Sequence, residues 1–254
     1  MSRIFRRTER PRMKTIVVKI GGNAVKKSAK EFIAFVRRAL KTSKVIVVHG
    51  GGPEVNAWLA KMGLKPKFVN GVRCTDVAAL EAVVMILAGK INKELVSLMT
   101  SSRVKAAGFS AADGGTAVCR RVKKLGLVGE PVKINTALVS ATASAGFVPV
   151  VSSLGADASG RLLNINADVL ADALAAKLKS SRLVYVTDVA GVIGAGGKVI
   201  DRITPSSASE LIKKGIITGG MIPKIRSAFK SIKNGVGEVV ITDLKSKGTA
   251  LSAK

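Results

Sequence analysis

Short runs of β-branched apolar residues alternate with helical patterns along most of this chain. The run Lys14–Ile20 (KTIVVKI) precedes apolar residues at helical spacing in 31–40, and 44–48 and 56–62 repeat the pair. The same rhythm returns at 148–151, 167–179, 182–187, 208–213, 222–233 and 238–242. Strands alternating with helices predict right-handed crossovers and a mainly parallel sheet covered on both faces, which is an α/β fold.

Two stretches depart from this rhythm. Residues 104–138 are rich in Gly, Lys and short strand patterns, which predicts β-hairpins inserted into the α/β frame. Residues 76–99 form one long helical pattern whose apolar girdle is wider than a single stripe. That girdle fits either a central core helix or a dimer interface.

The length and apolar content are sufficient for a large core. The longest apolar runs in the 254 residues, such as 82–88, are far shorter than the roughly 20 residues of a membrane span. No stretch has a signal-peptide layout. Cys74 and Cys119 give neither a disulfide framework nor a metal-ligand spacing. We therefore expect a soluble, cytoplasmic protein with no membrane segment and no metal site of its own.

The net charge is unusual. The chain has 42 Lys and Arg against 16 Asp and Glu, a formal charge of +26 at pH 7. Basic residues occur throughout and are densest near the start, where we expect 1–12 to be a basic, flexible segment. This excess attracts polyanions such as nucleic acids, nucleotides or an acidic protein. Seven Phe, one Tyr and one Trp offer few base-stacking platforms, so specific nucleic-acid binding is not favoured.

Glycines follow two of the predicted strands. Gly21 and Gly22 come after VVKI, and Gly50, Gly51 and Gly52 come after VIVVH. At the carboxyl ends of parallel strands such loops can present backbone N–H groups to an anion, helped by the following helix dipole. For a single Gly-Gly pair, a tight strand-to-helix turn is the alternative. Neither stretch matches GxxxxGK[ST] or GxGxxG.

Several polar residues lie where a cleft is expected. Lys19 nearly ends an apolar strand, where an unpaired ammonium would be costly, so we expect it to face a polar cleft. Lys224 follows a proline in the first turn of a predicted helix. Asn164 and Asp168 precede another helix and either face that cleft or, for Asp168, cap the helix. His49 is interpreted as a hydrogen-bonded structural residue.

A series of motifs, taken together, is specific enough to indicate a protein family. They are VVKIGGN, VVHGGGPEVN, NGVRCTD, GKINKELV, LGLVGEP, VPVVSSLG, GRLLNINAD, VTDVAGV and GIITGGMIPK. In this order they resemble the amino acid kinase family, and most closely its N-acetylglutamate kinases. The resemblance covers roughly residues 13–243.

The resemblance implies a three-layer αβα sandwich around an open, mainly parallel sheet of about eight strands. It implies one kinase domain over 13–254, with an acyl-amino-acid-binding lobe at about 13–155 and an ATP-binding lobe at about 156–254. The implied reaction is ATP-dependent phosphorylation of the γ-carboxylate of N-acetyl-L-glutamate in arginine biosynthesis. ATP and Mg²⁺ are the implied cofactors, with Mg²⁺ held mainly by ATP phosphates and water, and the implied assembly is a homodimer.

The resemblance also assigns the site residues. Lys19 and Lys224 stabilise the transferring phosphoryl group, and Asp168 holds both ammonium groups in place. The implied substrate-binding residues are Gly51, Gly52, Arg73 and Asn164, with Arg73 on the α-carboxylate. The implied ATP-binding residues are Lys19, Gly21, Gly22, Thr187, Asp188, Gly219, Gly220 and Lys224. No general base is needed, because the acceptor carboxylate is ionised at neutral pH.

The match to the family is incomplete at the C-terminus and in charge. After residue 242 the family carries a helix and a loop, and we expect a short hairpin to replace them here. We also expect the basic N-terminal segment to be too short for the helix that builds hexamers in some members. The +26 charge suits an alternative, a carrier-dependent glutamate or α-aminoadipate kinase whose partner is an acidic carrier protein. NINAD and GGMIPK favour the free substrate. A non-catalytic nucleic-acid-binding protein on this scaffold is a third hypothesis, which the retained lysines and aspartate disfavour.

Overall fold

An eight-stranded sheet lies at the centre of the computed structural model, which describes residues 13–21, 27–69 and 71–253. The predicted segment 1–12 and Gly22 lie outside the described residues. The strands in chain order are β1 (Lys14–Ile20), β2 (Ser43–His49), β3 (Lys67–Val69), β4 (Val72–Cys74), β5 (Ala106–Ser110), β6 (Ala117–Arg121), β7 (Val128–Ile134), β8 (Val148–Ser152), β9 (Leu154–Ala156), β10 (Leu162–Ile165), β11 (Arg182–Val186), β12 (Arg202–Ile203), β13 (Val239–Thr242) and β14 (Thr249–Leu251).

Helices cover the sheet on both sides. They are α1 (Ala29–Leu40), α2 (Gly52–Lys61), α3 (Val77–Val83), a π-helical stretch (Val84–Ile91), α4 (Asn92–Ser101), α5 (Ala137–Ser144), α6 (Ala167–Lys177), α7 (Pro205–Lys213) and α8 (Met221–Lys233). The order of strands across the sheet is β12, β14, β13, β11, β1, β2, β8, β5. Its pairs are parallel except β13 with β14, which form the terminal antiparallel hairpin expected after residue 242.

Two apolar layers explain why the strands could be recognised. In β1, Val17 packs in one cluster with α6 and α8, whereas Ile16 and Val18 pack in the other with α1, α2 and α3. Because helices bury both faces, alternate residues are equally apolar and the strand is a continuous apolar run. The three-layer α/β architecture predicted from the sequence is confirmed.

The register of the sheet aligns the carboxyl ends of its central strands. Ile20 is level with His49 on one side and with Val186 on the other. His49 is in turn level with Ser152, the last residue of β8. The loops that leave these strands therefore meet at one edge, which is where parallel α/β sheets bind ligands.

The region predicted to form inserted hairpins divides between two sheets. β5 joins the edge of the main sheet, whereas β6 and β7 pair antiparallel as expected. With β9 and β10 these two strands close into a small four-stranded barrel. The prediction was right about β6 and β7 and wrong about β5, whose partner β8 lies far along the chain.

The long helical pattern forms a nearly continuous rod through α3, the π-helical stretch and α4. One side is core: Leu87, Ile91 and Leu95 are buried. Val77 and Met85 are exposed at 68% and 53%. The core interpretation is therefore confirmed, and the dimer interface stays a prediction. In the described ranges, none of the helices has the length and apolar character that crossing a bilayer requires.

Candidate active site

A cleft of about 560 Å³ opens where the carboxyl ends of β1, β2 and β11 meet. Of the residues predicted for the site, those lining it are Lys19, Gly21, Gly51, Gly52, Arg73, Asn164, Asp168, Thr187, Asp188 and Lys224. They come from segments more than 200 positions apart and reach one cavity because the strand ends are aligned. Gly219 and Gly220 immediately precede α8 and are not among the lining residues.

Lys19 and Asp168 form an ion pair in this cleft. Lys19 shares the sheet face of Val17, below α6, and its Nζ lies 2.7 Å from Oδ1 of Asp168. The Asp168 carboxylate is free for this contact because Asn166 caps α6, accepting hydrogen bonds from the backbone N–H groups of Asp168 and Val169. The alternative that Asp168 caps the helix is therefore wrong.

Lys224 brings a second ammonium group to the same place. It lies in the first turn of α8, directly after Pro223. Burial lowers the pKa of Lys224, while the nearby carboxylates of Asp168 and Asp188 oppose that change and Lys19 adds to it. The cleft has an excess of positive charge suited to an anionic group, because its lining includes five basic side chains and three carboxylates: Lys19, Lys27, Arg73, Lys224 and Lys245 against Asp168, Asp188 and Asp243.

Arg73 lines the same cleft beside Gly52. Its guanidinium stacks on the ring of Phe68 at 4.9 Å, and Nη2 donates to the carbonyl of Gly52 at 3.1 Å and to Oδ1 of Asn56 at 2.5 Å. Arg73 is only 8% exposed, and its buried Nη1 has no hydrogen-bond partner among the described residues. A buried, unpartnered guanidinium nitrogen favours an anionic ligand, and a carboxylate matches the geometry of its fork.

Asn164 is held in place by a hydrogen bond to a buried side chain. Its Nδ2 donates to the hydroxyl of the buried Thr75 at 3.1 Å. Thr75 is itself fixed by backbone hydrogen bonds with Leu125 and Leu127, which lie just before β7. Asn164 lines the cleft, and its amide oxygen has acceptor capacity for a ligand there.

The two glycines Gly51 and Gly52, in the loop after β2, are required for different reasons. A Cβ at Gly52 would meet nothing within 4 Å, so this position borders open cleft. A Cβ at Gly51 would overlap Cδ1 of Ile91 and lie 2.8 Å from Cδ2 of Leu87, both on the π-helical stretch. Close packing therefore accounts for Gly51, and open space for a ligand accounts for Gly52. Gly52 also begins α2, whose first-turn N–H groups lack intrahelical acceptors and favour anions.

The single histidine is structural, as interpreted from the sequence. His49 is fully buried; one ring nitrogen contacts the carbonyl of Gly50 and the other accepts from Nδ2 of Asn92, each at 3.1 Å. Burial lowers the pKa of His49 to about 4. The ring is therefore neutral at physiological pH and anchors the glycine loop to α4.

Sequence reasoning missed some residues near the site. Asp243 and Lys245 line the cleft from the loop after β13, whose carboxyl end is level with that of β11. The position just after a strand was the available signal. Tyr185, whose ring lies near Lys224, and Asp172, which accepts a hydrogen bond from the Tyr185 hydroxyl, lie inside apolar patterns that gave little indication of them.

Comparisons with known proteins agree with this geometry. The profile of the amino acid kinase family matches residues 14–243. The acetylglutamate kinase of Endomicrobium trichonymphae is 40% identical over 242 residues, covering 92% of this chain and 97% of that protein. The acetylglutamate kinase of Chlorobaculum tepidum is 41% identical over 238 residues, covering 91% and 82%. The crystal structure of smu.665 from Streptococcus mutans UA159 superimposes with a TM-score of 0.84 at 32% identity, covering 94% of this chain and 99% of that one.

Proposed function

Because the chain belongs to the amino acid kinase family, we propose that it uses ATP to phosphorylate the γ-carboxylate of N-acetyl-L-glutamate, giving N-acetyl-L-glutamyl 5-phosphate in arginine biosynthesis. Relatives that carry the name acetylglutamate kinase, at 40% and 41% identity over more than nine tenths of the chain, support this activity. The observation that carries the proposal is one cleft that contains Lys19, Asp168 and Lys224 together with Arg73.

Phosphoryl transfer depends on position and charge more than on covalent chemistry by the protein. In the proposed reaction, a γ-carboxylate oxygen attacks the γ-phosphorus in line with the bond to the β,γ-bridging oxygen, and that bond breaks to release ADP. Negative charge spreads over the three equatorial oxygens during transfer. Lys19 and Lys224 neutralise it from two directions, and Asp168 sets the spacing of the two ammonium groups.

The acceptor side is equipped for an acyl amino acid. Arg73 takes the α-carboxylate through its unpartnered Nη1, and Asn164 accepts from the substrate amide. N–H groups of the loop containing Gly51 and Gly52 contact the reacting carboxylate and phosphoryl oxygens. No proton has to be removed from the acceptor, because a carboxylate is already ionised at neutral pH; a neutral, buried His49 fits that chemistry.

The nucleotide lies in the other half of the cleft in this proposal. Gly21 and Gly22 contact its phosphates, and Thr187, Asp188, Gly219 and Gly220 follow its length. When bound with ATP, Mg²⁺ would supply neutralisation of phosphate charge and would be held mainly by the nucleotide phosphates and water. We also propose that residues at about 13–155 form the acyl-amino-acid-binding lobe and those at about 156–254 the ATP-binding lobe. The proposed assembly is a homodimer, and the proposed location is the cytoplasm.

The charge of +26 keeps a second substrate form under consideration. A strongly basic surface would speed association with an acidic carrier protein that presents glutamate or α-aminoadipate. The cleft chemistry is the same for both, since Arg73 and the lysines address carboxylate and phosphoryl groups in either case.

A hydroxamate assay with ATP and Mg²⁺ tests the proposal. Purified protein is incubated with N-acetylglutamate, N-acetylaspartate, free glutamate or α-aminoadipate, each with and without an acidic carrier protein. We expect acyl phosphate from N-acetylglutamate without the carrier. Product only from carrier-bound amino acid would establish the alternative, and salt-sensitive nucleic-acid retention without ATP turnover would refute both kinase proposals.

A further inference from the structure

A second aspartate lies one helical turn beyond Asp168. Asp172 is partly buried on the inner face of α6, and its carboxylate accepts three hydroxyl hydrogen bonds. Tyr185 donates to Oδ1 at 2.5 Å, Ser231 to Oδ1 at 2.5 Å and Ser227 to Oδ2 at 2.6 Å. The carboxylate therefore joins α6, β11 and α8 at one point, and nothing in the proposed chemistry requires a group there.

Sheet register places these contacts beside the phosphoryl site. Lys19 of β1 is level with Tyr185 of β11, so the two side chains are neighbours on the sheet face that α6 covers. Asp168 contacts Lys19, and Asp172, four residues later on the same face of α6, contacts Tyr185. The two aspartates thus make parallel connections from one helix to two adjacent strands.

Helix register gives the same alignment on α8. Lys224, Ser227 and Ser231 are spaced by three and four residues, so they share one face of the helix. The two serines bond Asp172, while the ammonium of Lys224 lies 5.8 Å from the centre of the Tyr185 ring, within cation–π range. The same tyrosine therefore touches the carboxylate with its hydroxyl and supports Lys224 with its ring.

From these contacts we infer that Asp172 is a positioning residue: through Ser227, Ser231 and Tyr185 it fixes where α8 presents Lys224 to the transferring phosphoryl group. The role assigned to Lys224 rests on the proposed function, whereas the placement of its ammonium can be measured without turnover. The ring of Tyr185 lies next to that ammonium. The charged groups around it are Asp168 on α6, Lys19 on β1 and Asp188 after β11.

The test uses two pairs of variants and one control. Asp172→Ala removes the acceptor, whereas Asp172→Asn keeps hydrogen-bonding capacity; Tyr185→Leu removes the ring, whereas Tyr185→Phe keeps it. Leu183→Ala is the control, because Leu183 is buried on the same strand and face but lies toward the opposite end of β11. Each variant is checked for thermal unfolding before it is assayed.

Two readouts separate positioning from general destabilisation. The first is kcat and KM with N-acetylglutamate and ATP. The second is trace acetylation with peptide-resolved mass spectrometry, reported as labelling of Lys224 relative to Lys230, an exposed lysine on the same helix. The second readout does not depend on any substrate, so it remains informative if the wild-type protein does not phosphorylate N-acetylglutamate, a result that would refute only the proposed function.

We expect Asp172→Ala and Tyr185→Leu to lower kcat about tenfold or more with KM values within about threefold, because a small displacement of a catalytic group is costly. Both should raise the relative labelling of Lys224. Asp172→Asn and Tyr185→Phe should recover most of both properties, and Leu183→Ala should change only stability. The inference is overturned if Lys224 labelling stays at the wild-type ratio in both disruptive variants, or if Leu183→Ala reproduces their effects. If one disruptive variant does not fold, the other decides.

Discussion

Replacing Gly51 by alanine tests whether packing or ligand space explains the glycine loop. The added Cβ would overlap Cδ1 of Ile91 and press on Cδ2 of Leu87 at 2.8 Å. Overpacking of this kind costs about 1–3 kcal/mol. For a chain of this size, each kcal/mol lowers the midpoint of thermal unfolding by about 2–4 °C.

A double-mutant cycle identifies the cause. Ile91→Val deletes the Cδ1 atom that the new methyl group meets, and alone it costs about 0.5–1.5 kcal/mol. The combination Gly51→Ala with Ile91→Val should therefore be more stable than the sum of the single effects by about 0.5 kcal/mol or more. Urea denaturation followed by circular dichroism gives the four free energies of unfolding, and the hydroxamate assay gives the four activities.

Gly52→Ala is the matched control, because its Cβ enters open cleft and lies near neither Ile91 nor Leu87. We expect it to reduce activity in a way that Ile91→Val does not restore. The packing explanation would be refuted by strict additivity in the Gly51 cycle together with a loss of activity in Gly51→Ala that Ile91→Val does not restore. Ligand space would then account for the glycine at 51, as it does at 52.

Two other predictions concern Arg73 and His49. Arg73→Lys should raise KM for N-acetylglutamate about tenfold or more with a smaller change in kcat. The reason is that a lysine cannot keep the hydrogen bonds to Gly52 and Asn56 while it also binds a carboxylate as a fork. An unchanged KM in steady-state kinetics would remove Arg73 from the substrate site. For His49, whose pKa of about 4 in the fold lies below the ordinary 6.5, the unfolded state binds more protons between these values. The contribution of neutral His49 to the free energy of unfolding is therefore fully present above pH 6.5, and about 3 kcal/mol of it is lost as the pH falls to 4. His49→Gln should flatten this part of the stability profile measured by urea denaturation, and an equally steep profile in the variant would contradict the assignment.

The main sheet could be predicted because its signals are local. Val17 and Val18 face opposite helical layers, so a short apolar run is enough to mark a buried parallel strand. The small barrel could not be predicted in the same way. Its closure depends on pairing Asn164 with Val128 and Val118 with Ala156, and such long-range partners leave no pattern in neighbouring residues.

Most of the residues that the sequence indicated for the site line one cleft, but their arrangement could not be predicted. Asn166 immediately precedes α6 and Asp168 lies in its first turn. Either residue type can cap a helix, so only the structure distinguishes Asn166 as the cap from Asp168 as the partner of Lys19. For Gly51, the sequence indicated bare backbone but not the helix that presses on it. Asp172 offered a weaker signal, a carboxylate beside the buried Ala171 on an apolar helix, which implies partners without naming them.

The central claim is that Lys19 and Lys224 stabilise charge that develops on the phosphoryl group during transfer. The most direct test is the affinity of wild-type protein and Lys224→Ala for ADP with aluminium fluoride and N-acetylglutamate, measured by isothermal titration calorimetry beside a non-hydrolysable ATP analogue. The account predicts that Lys224→Ala loses about 100-fold or more in affinity for the transition-state mimic but only a few-fold for the ATP analogue. Equal losses for the two ligands would contradict it.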